Sequence, residues 1–133
     1  MSFGLDTSVV VRLLVGEPED QARRAWEFLE QCSSEGEPAH VSALVVAESF
    51  FVLQHHYGVP LAKTLQQLAS LLGDARISAD AAARRVLRTP GLSRMKPGFV
   101  DRLIHALYED DGRALATFDK TAAKLERSRL LGA

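Results

Sequence analysis

Two aspartates follow short apolar segments that have the length of buried strands. Asp6 ends the segment "FGLD", and Asp119 ends "ALATFD". Each is followed by a helical pattern, so each carboxylate is predicted to lie where a strand leads into a helix. A carboxylate in that place can accept hydrogen bonds from the first helical N–H groups, which stabilises a helix by about 1 kcal/mol. It can equally form one corner of a binding site, and both interpretations are open for either residue alone.

Two further carboxylates lie within predicted helices. Asp101 falls in the first turn of "GFVDRLIHAL", where a negative charge interacts favourably with the helix dipole. Glu48 lies in "SALVVAESFFVLQ", which is apolar on nearly every side, so we predict that this carboxylate is buried. A buried carboxylate is costly unless it is paired or bound to a metal. Its partner is then either a metal ion or an arginine such as Arg12.

The four carboxylates would need a cation if they met in one crevice. Two like charges about 4 Å apart repel by on the order of 4 kcal/mol, even at an effective dielectric constant of about 20. Carboxylate oxygens without thiolates select Mg²⁺ or Mn²⁺ over zinc. Such ions typically activate water and stabilise a phosphoryl transition state. The hydroxyls of Ser8 and Thr117 lie beside two of these acids, where they either order a metal-bound water or cap the chain.

Short apolar segments alternate with longer helical patterns along the chain. Strands are predicted at about 3–6, 39–43, 75–78 and 113–117. Helices are predicted at about 8–14, 18–32, 44–57, 61–72, 80–87, 99–108 and 121–126. This alternation predicts an α/β fold, a three-layer α/β/α sandwich with a mostly parallel sheet of four or five strands. The functional crevice of such a sheet lies at the carboxyl ends of its strands, where Asp6 and Asp119 are both predicted.

The composition is that of one ordinary globular domain. A chain of 133 residues with 47% hydrophobic and 25% charged residues can bury one core and is unlike a disordered chain. Sixteen basic residues against 17 acidic ones give no overall attraction to nucleic acid or to a membrane. The single cysteine, Cys32, excludes an internal disulfide and suits a reducing compartment. We therefore expect a single domain over residues 1–133, without a signal peptide or membrane span, in the cytoplasm.

Four blocks of the sequence resemble, in order, the signature blocks of PIN-domain ribonucleases. They are "GLDTSVVVRLL", "SALVVAESFFVL", "FVDRLIHAL" and "ALATFDKTAAKL". The chain looks most like the VapC-type toxins of type II toxin–antitoxin pairs. The resemblance implies that the acids of these blocks bind Mg²⁺ or Mn²⁺ for RNA hydrolysis, namely Asp6, Glu48, Asp101 and Asp119. It also implies an antitoxin that blocks the acidic site, and a homodimer.

One position departs from the family pattern. The family usually has a small residue where this chain has His105, which shares a helix face with Asp101 four residues earlier. The imidazole is an extra metal ligand, a proton shuttle, or a side chain turned aside into packing. These three alternatives remain open.

A basic segment separates the second and third of these blocks. No acid lies between Asp80 and Asp101, and the interval "AARRVLRTPGLSRMK" carries five basic side chains: Arg84, Arg85, Arg88, Arg94 and Lys96. In a ribonuclease these side chains would contact RNA phosphates beside the crevice, since phosphate contacts carry most of such affinity. The alternative is a solvated helix face followed by a loop.

Two other functions compete with this one. A receiver-type signalling module also has acids at the ends of parallel strands, and "MKPGFVDRL" resembles its Lys-Pro step. However, turn residues precede that lysine, and no adjacent pair of acids follows the first strand. A non-catalytic PIN-like scaffold that binds RNA or protein is the other alternative, and the intact set of four acids argues against it.

Overall fold

The computed structural model of the chain describes residues 1–132. Within that range its helices are α1 (Thr7–Val15), α2 (Glu19–Ser34), α3 (Ala43–His55), α4 (Leu61–Leu72), α5 (Ala81–Leu87) and α6 (Phe99–Asp110). Its strands are β1 (Ala39–Val41), β2 (Ile77–Ala79), β3 (Leu115–Thr117) and β4 (Ser128–Leu130). Single 3₁₀ turns lie at Leu92–Arg94 and Ala122–Lys124. Over these residues, every helix is too short or too polar to cross a membrane.

All of the strand pairs are parallel, as the alternation of strands and helices predicts. β1 pairs with β2, and β3 pairs with β4, so the described residues form two sheets of two strands each. The predicted first strand is present as one parallel bridge between Gly4 and His40. Two backbone hydrogen bonds hold it, from Leu5 N to His40 O at 2.8 Å and from His40 N to Phe3 O at 2.9 Å. The predicted α/β class is therefore correct, whereas the described strands are shorter than expected and do not form one sheet of four or five.

The C-terminal region differs from the prediction. Residues 121–126 were expected to form a helix, but only Ala122–Lys124 make one 3₁₀ turn. The backbone becomes extended at Leu125, and the chain then runs alongside β3 as β4. Strand β4 is only three residues long and lacks an alternation of apolar and polar residues. Its pairing with β3 therefore could not be predicted from the local sequence.

Helices α3 and α6 carry Glu48 and Asp101 and are joined through the hydrophobic core. The ring of Phe50 on α3 lies 4.9 Å from the ring of Phe99 on α6, centroid to centroid. Both side chains are buried, as are Val46 and Leu53 on the inner face of α3. Burying side chains of this size is the main source of stability for each helix. The core therefore fixes the two helices relative to each other.

The start of α3 is held by side chains from two parts of the chain. Ser42 is the N-cap and its Oγ accepts a hydrogen bond from Val45 N at 3.3 Å. Asp80, which follows β2, accepts a hydrogen bond from Ala43 N at 2.7 Å through Oδ2. These bonds satisfy helical N–H groups that have no partner within the helix. They tie the end of β2 to the beginning of α3.

An ion-pair cluster connects α2 to the segment before β2. Arg76 donates to Asp74 Oδ1 through Nε at 2.9 Å and to Asp74 Oδ2 through Nη2 at 2.8 Å. The third nitrogen of the same guanidinium group, Nη1, contacts Glu30 on α2. The guanidinium carbon also lies 5.1 Å from the centre of the Trp26 ring. This bidentate arrangement holds the pKa of Asp74 at about 2 and raises the pKa of Arg76.

Candidate active site

Asp6 is both the N-cap of α1 and an exposed carboxylate. Its Oδ1 accepts hydrogen bonds from Val9 N at 3.2 Å and from Ser8 Oγ at 2.6 Å. The two hydrogen bonds lower the pKa of Asp6 below its ordinary value, and the bond from Ser8 contributes most to this lowering. No side-chain hydrogen bond to Oδ2 is present within residues 1–132, so one oxygen of an ionised carboxylate remains available to a ligand. Asp6 can therefore cap α1 and contribute to a binding site at the same time.

The prediction that Glu48 is buried is wrong. Its side chain is exposed, because α3 turns Val46, Ser49 and Phe50 towards the core and leaves Glu48 on the opposite face. The exposed face is itself rich in apolar residues: Leu44 is 79% exposed and Phe51 is 45% exposed. Although α3 carries apolar residues on nearly every side, the rest of the protein covers only one of its faces. Glu48 therefore does not need a buried partner.

Arg12 is not the partner of Glu48. Its Nε donates to Gln21 Oε1 at 2.7 Å, which joins α1 to α2. The alternative of a buried ion pair between Arg12 and Glu48 is thus wrong on both counts, since the carboxylate is exposed and the arginine is bound elsewhere.

Thr7 links the first two acids of the site. Its Oγ1 donates a hydrogen bond to Glu48 Oε1, although the two residues lie 41 positions apart. Because Thr7 directly follows Asp6, the bond places the start of α1 against the exposed face of α3. Thr7 is not among the site residues predicted from the sequence. The sequence feature that could have identified Thr7 is its hydroxyl group directly after a strand-end aspartate.

Asp101 lies in the first turn of α6 and is exposed. It borders a cavity of about 420 Å³ that is lined mainly by apolar side chains of α3, α4 and α6. Phe51, three residues after Glu48, lines the same cavity. Asp101 and the exposed face of α3 are therefore neighbours across this cavity.

Asp119 follows β3 and lies in a tight network of backbone hydrogen bonds. Its own N–H donates to Thr117 Oγ1 at 3.0 Å. Its Oδ1 accepts from Thr121 N at 2.7 Å and from Ala122 N at 3.2 Å. The two contacts of Asp119 Oδ1 are those of a cap. Thr117 Oγ1 accepts from the backbone N–H of Asp119, whereas Ser8 Oγ donates to the carboxylate of Asp6. The carboxylate of Asp119 is nevertheless exposed and, like that of Asp6, uses only Oδ1 in these bonds.

The four carboxylates do not form a preassembled metal cage. Among residues 1–132, no group of three or more histidine, cysteine, aspartate or glutamate side chains is placed to hold a metal ion. The structure joins Asp6 to Glu48 through Thr7 and places Asp101 beside α3. It records no contact between Asp119 and the other three in the part of the chain it describes. The donor chemistry nevertheless suits Mg²⁺ or Mn²⁺, because every candidate donor is an exposed carboxylate oxygen.

His105 is buried and its ring is engaged on both sides. Its Nε2 lies 2.6 Å from the carbonyl oxygen of Glu126, and its Nδ1 lies 3.4 Å from Glu109 Oε1. Because a carbonyl can only accept, Nε2 carries the proton in this contact. These contacts favour packing over the two other roles considered for this side chain.

The basic segment divides into two groups. Arg84 donates to the carbonyl oxygens of Leu72 and Ile77, each at 2.9 Å, so its guanidinium group is used within the fold. Arg85 forms an ion pair with Asp110 at 2.9 Å. The remaining members are exposed and make no ion pair with residues 1–132: Arg88, Arg94 and Lys96. A phosphate contact from Arg84 would require its internal hydrogen bonds to break.

Comparison with known proteins identifies the family. No curated protein matches the chain. The PIN domain, however, matches residues 4–128, which is nearly the whole sequence. The PIN domain is a nuclease fold, and PIN nucleases bind RNA and usually use Mg²⁺ or Mn²⁺. The chain belongs to the PIN domain family.

Proposed function

We propose that this protein is a divalent-metal-dependent endoribonuclease and the toxin of a type II toxin–antitoxin pair. The observation that carries the proposal is the hydrogen bond from Thr7 to Glu48. It brings the first two acidic blocks of a PIN domain to the same side of the molecule. The acids of the third and fourth blocks, Asp101 and Asp119, are also exposed.

The residues that would hold the metal are Asp6, Glu48, Asp101 and Asp119. When bound, Mg²⁺ or Mn²⁺ supplies an activated water and neutralises charge at the phosphate. The chain's own contribution is to fix the donors. The bonds from Ser8 and Val9 hold Asp6 in its ionised form and in one orientation, and Thr7 orients Glu48. Because the four acids are not preassembled, a bound ion would have to draw them together, at a cost to its binding free energy.

The described strands also fit a larger sheet. We infer that the N-terminal segment, β1 and β2 join β3 and β4 in the family's single parallel sheet, with helices on both faces. The parallel direction of every described pair supports this arrangement. A shared sheet would place the ends of the first strand and of β3 side by side, and with them Asp6 and Asp119.

Regulation by an antitoxin and formation of a homodimer belong to the same proposal. Both rest on the resemblance to VapC-type toxins. An antitoxin that covers the exposed face of α3 would hide Glu48 together with Leu44 and Phe51, whose exposure suits a protein contact. Expression of the chain alone should then be toxic, and co-expression of the cognate antitoxin should restore growth.

The decisive experiment compares wild type with Asp6→Asn on purified RNA at increasing Mg²⁺ or Mn²⁺. Asparagine caps a helix as well as aspartate does, so the variant keeps the bond to Val9 N and loses only the charge. We expect cleavage to be abolished, with circular dichroism and thermal unfolding unchanged. The matched control is Asp20→Asn, an exposed acid paired with Arg24 on α2. Undiminished cleavage in Asp6→Asn, or cleavage in excess chelator, would refute a metal-dependent mechanism.

A further inference from the structure

Phe118 is an exposed aromatic ring at the edge of the candidate site. Its side chain is 78% exposed, and it stands between Thr117 at the end of β3 and Asp119. Most large aromatic side chains bury much of their surface, since exposure of so much apolar area to water is unfavourable. No hydrogen bond, cap or core contact described above requires an aromatic residue at this position.

The backbone on both sides of Phe118 is held in place. The bond from Asp119 N to Thr117 Oγ1 closes a tight turn around it, and the Oδ1 of Asp119 fixes the two residues after Lys120. Leu131 N donates to Thr117 O at 2.8 Å, so the end of the chain also braces this turn. The ring is therefore presented from a fixed point beside the acid.

The ring of Phe118 lies close to the backbone of Gly132. A Cβ atom placed on Gly132 would lie 3.4 Å from Cδ1 of Phe118. Glycine at this position leaves the ring room to lie close to the backbone, while most of the ring surface remains open to solvent. A ring supported in this way resembles a platform more than a freely rotating side chain.

The surroundings of Phe118 combine apolar and basic side chains. Leu130 and Leu131 are 38% and 50% exposed, and Leu130 lies opposite Thr117 in the pairing of β3 with β4. Lys120 is exposed two residues later, and Arg129 on β4 is exposed opposite Ala116 on β3. Neither cation makes an ion pair with any residue from 1 to 132. Proteins that bind single-stranded nucleic acid combine aromatic rings, on which bases stack, with basic side chains that contact the backbone. The two exposed cations favour a polyanion over a protein as the occupant of this surface.

We propose that Phe118 stacks on a base of single-stranded RNA and thereby positions the adjoining phosphate at the acidic site. The inference rests on the proposed function, because it assigns a substrate contact to the same site. It also narrows the substrate class. A base inside a duplex is already stacked between its neighbours, so the contact selects an unpaired nucleotide.

The test measures the affinity of wild type, Phe118→Ala, Phe118→Leu and Phe118→Trp for a fluorescent single-stranded oligoribonucleotide. Binding is measured without divalent ions, so that the readout does not depend on cleavage. Loss of a stacked base weakens binding by about 5- to 150-fold. We expect that loss for alanine, most of it for leucine, and affinity near the wild-type value for tryptophan. Affinity for the same sequence as a perfect duplex should be the same in all four proteins.

Tyr108→Ala is the matched control, because Tyr108 is another exposed aromatic residue, at the far end of α6. It should bind the oligoribonucleotide as wild type does. In cleavage assays, Phe118→Ala should raise KM more than it lowers kcat, as expected for a residue that binds a part of the substrate remote from the reacting phosphate.

The possible failures are distinguishable. If the wild-type protein cleaves RNA and Phe118→Ala binds and cleaves equally well, the stacking role is refuted and the proposed function stands. If RNA binding depends on Phe118 but no cleavage occurs with Mg²⁺ or Mn²⁺, the proposed function fails and the stacking role stands. If Phe118→Ala changes only the molar mass measured by light scattering, Phe118 belongs to a protein interface and the stacking role is refuted.

Discussion

Replacement of Asp74 by asparagine tests how much the ion-pair cluster before β2 contributes to stability. Asparagine keeps an oxygen that can accept from Arg76 N, as Asp74 Oδ1 does at 2.8 Å, but removes the charge. The ordinary pKa of 3.8 is lowered to about 2, chiefly by the hydrogen bonds from the Arg76 side chain. By linkage, that lowering corresponds to about 2 kcal/mol as an upper limit.

Partial exposure reduces this value. The side chains of Arg76 and Asp74 are 28% and 23% exposed, so solvent screens part of their attraction. We therefore expect Asp74→Asn to lower the free energy of unfolding by about 1 kcal/mol at neutral pH. For a chain of this length, that loss lowers Tm by about 4 °C.

The pH dependence provides the sharper test. A carboxylate whose pKa is lowered by folding stabilises the protein above its unfolded pKa. That stabilisation disappears as pH falls from 3.8 towards about 2. Urea unfolding of wild type and Asp74→Asn should therefore differ at neutral pH and converge in acid. Asp20→Asn, which removes an exposed partner of Arg24 on α2, should leave the free energy of unfolding unchanged. A difference for Asp74→Asn that is absent at neutral pH, or that persists undiminished near pH 2, would refute this reasoning.

Two further changes test the candidate site. Thr7→Val removes the hydroxyl that orients Glu48, and we expect cleavage or Mn²⁺ affinity to fall by about 10- to 100-fold, as for other groups that orient metal ligands. Thermal unfolding should barely change, because the bond is exposed, and unchanged cleavage would show that Thr7 has no positioning role. His105→Ala should destabilise the fold by about 2 kcal/mol, because it empties a buried position and leaves the carbonyl oxygen of Glu126 without its donor. The pH–rate profile and Mn²⁺ affinity of the folded variant should match those of wild type. A shifted pH–rate profile would show that His105 takes part in the mechanism.

Elements bounded by strong local signals could be predicted well from the sequence. The bounds of α4 match the prediction, because Pro60 precedes the helix and Gly73 follows it. The capping position of Asp6 was predictable for the same reason, since a strand-end aspartate before a helical pattern is a local feature. The α/β class followed from the alternation of segments.

The exposure of Glu48 could not be predicted, because composition does not reveal which side of a helix is left uncovered. Leu44 and Phe51 are apolar, and their positions on α3 made the helix look buried all round. Only the packing of α3 on its neighbours decides which residues face outwards. The same limit applies to Arg84, whose two acceptors, Leu72 O and Ile77 O, belong to other elements of the fold.

The support of Asp119 by β4 has a consequence during synthesis. The turn that carries this acid is braced by bonds from residues 127–131, which are translated after it. Until those residues have been translated, β3 lacks its parallel neighbour β4. The fourth acid of the candidate site is therefore the last to receive its structural support.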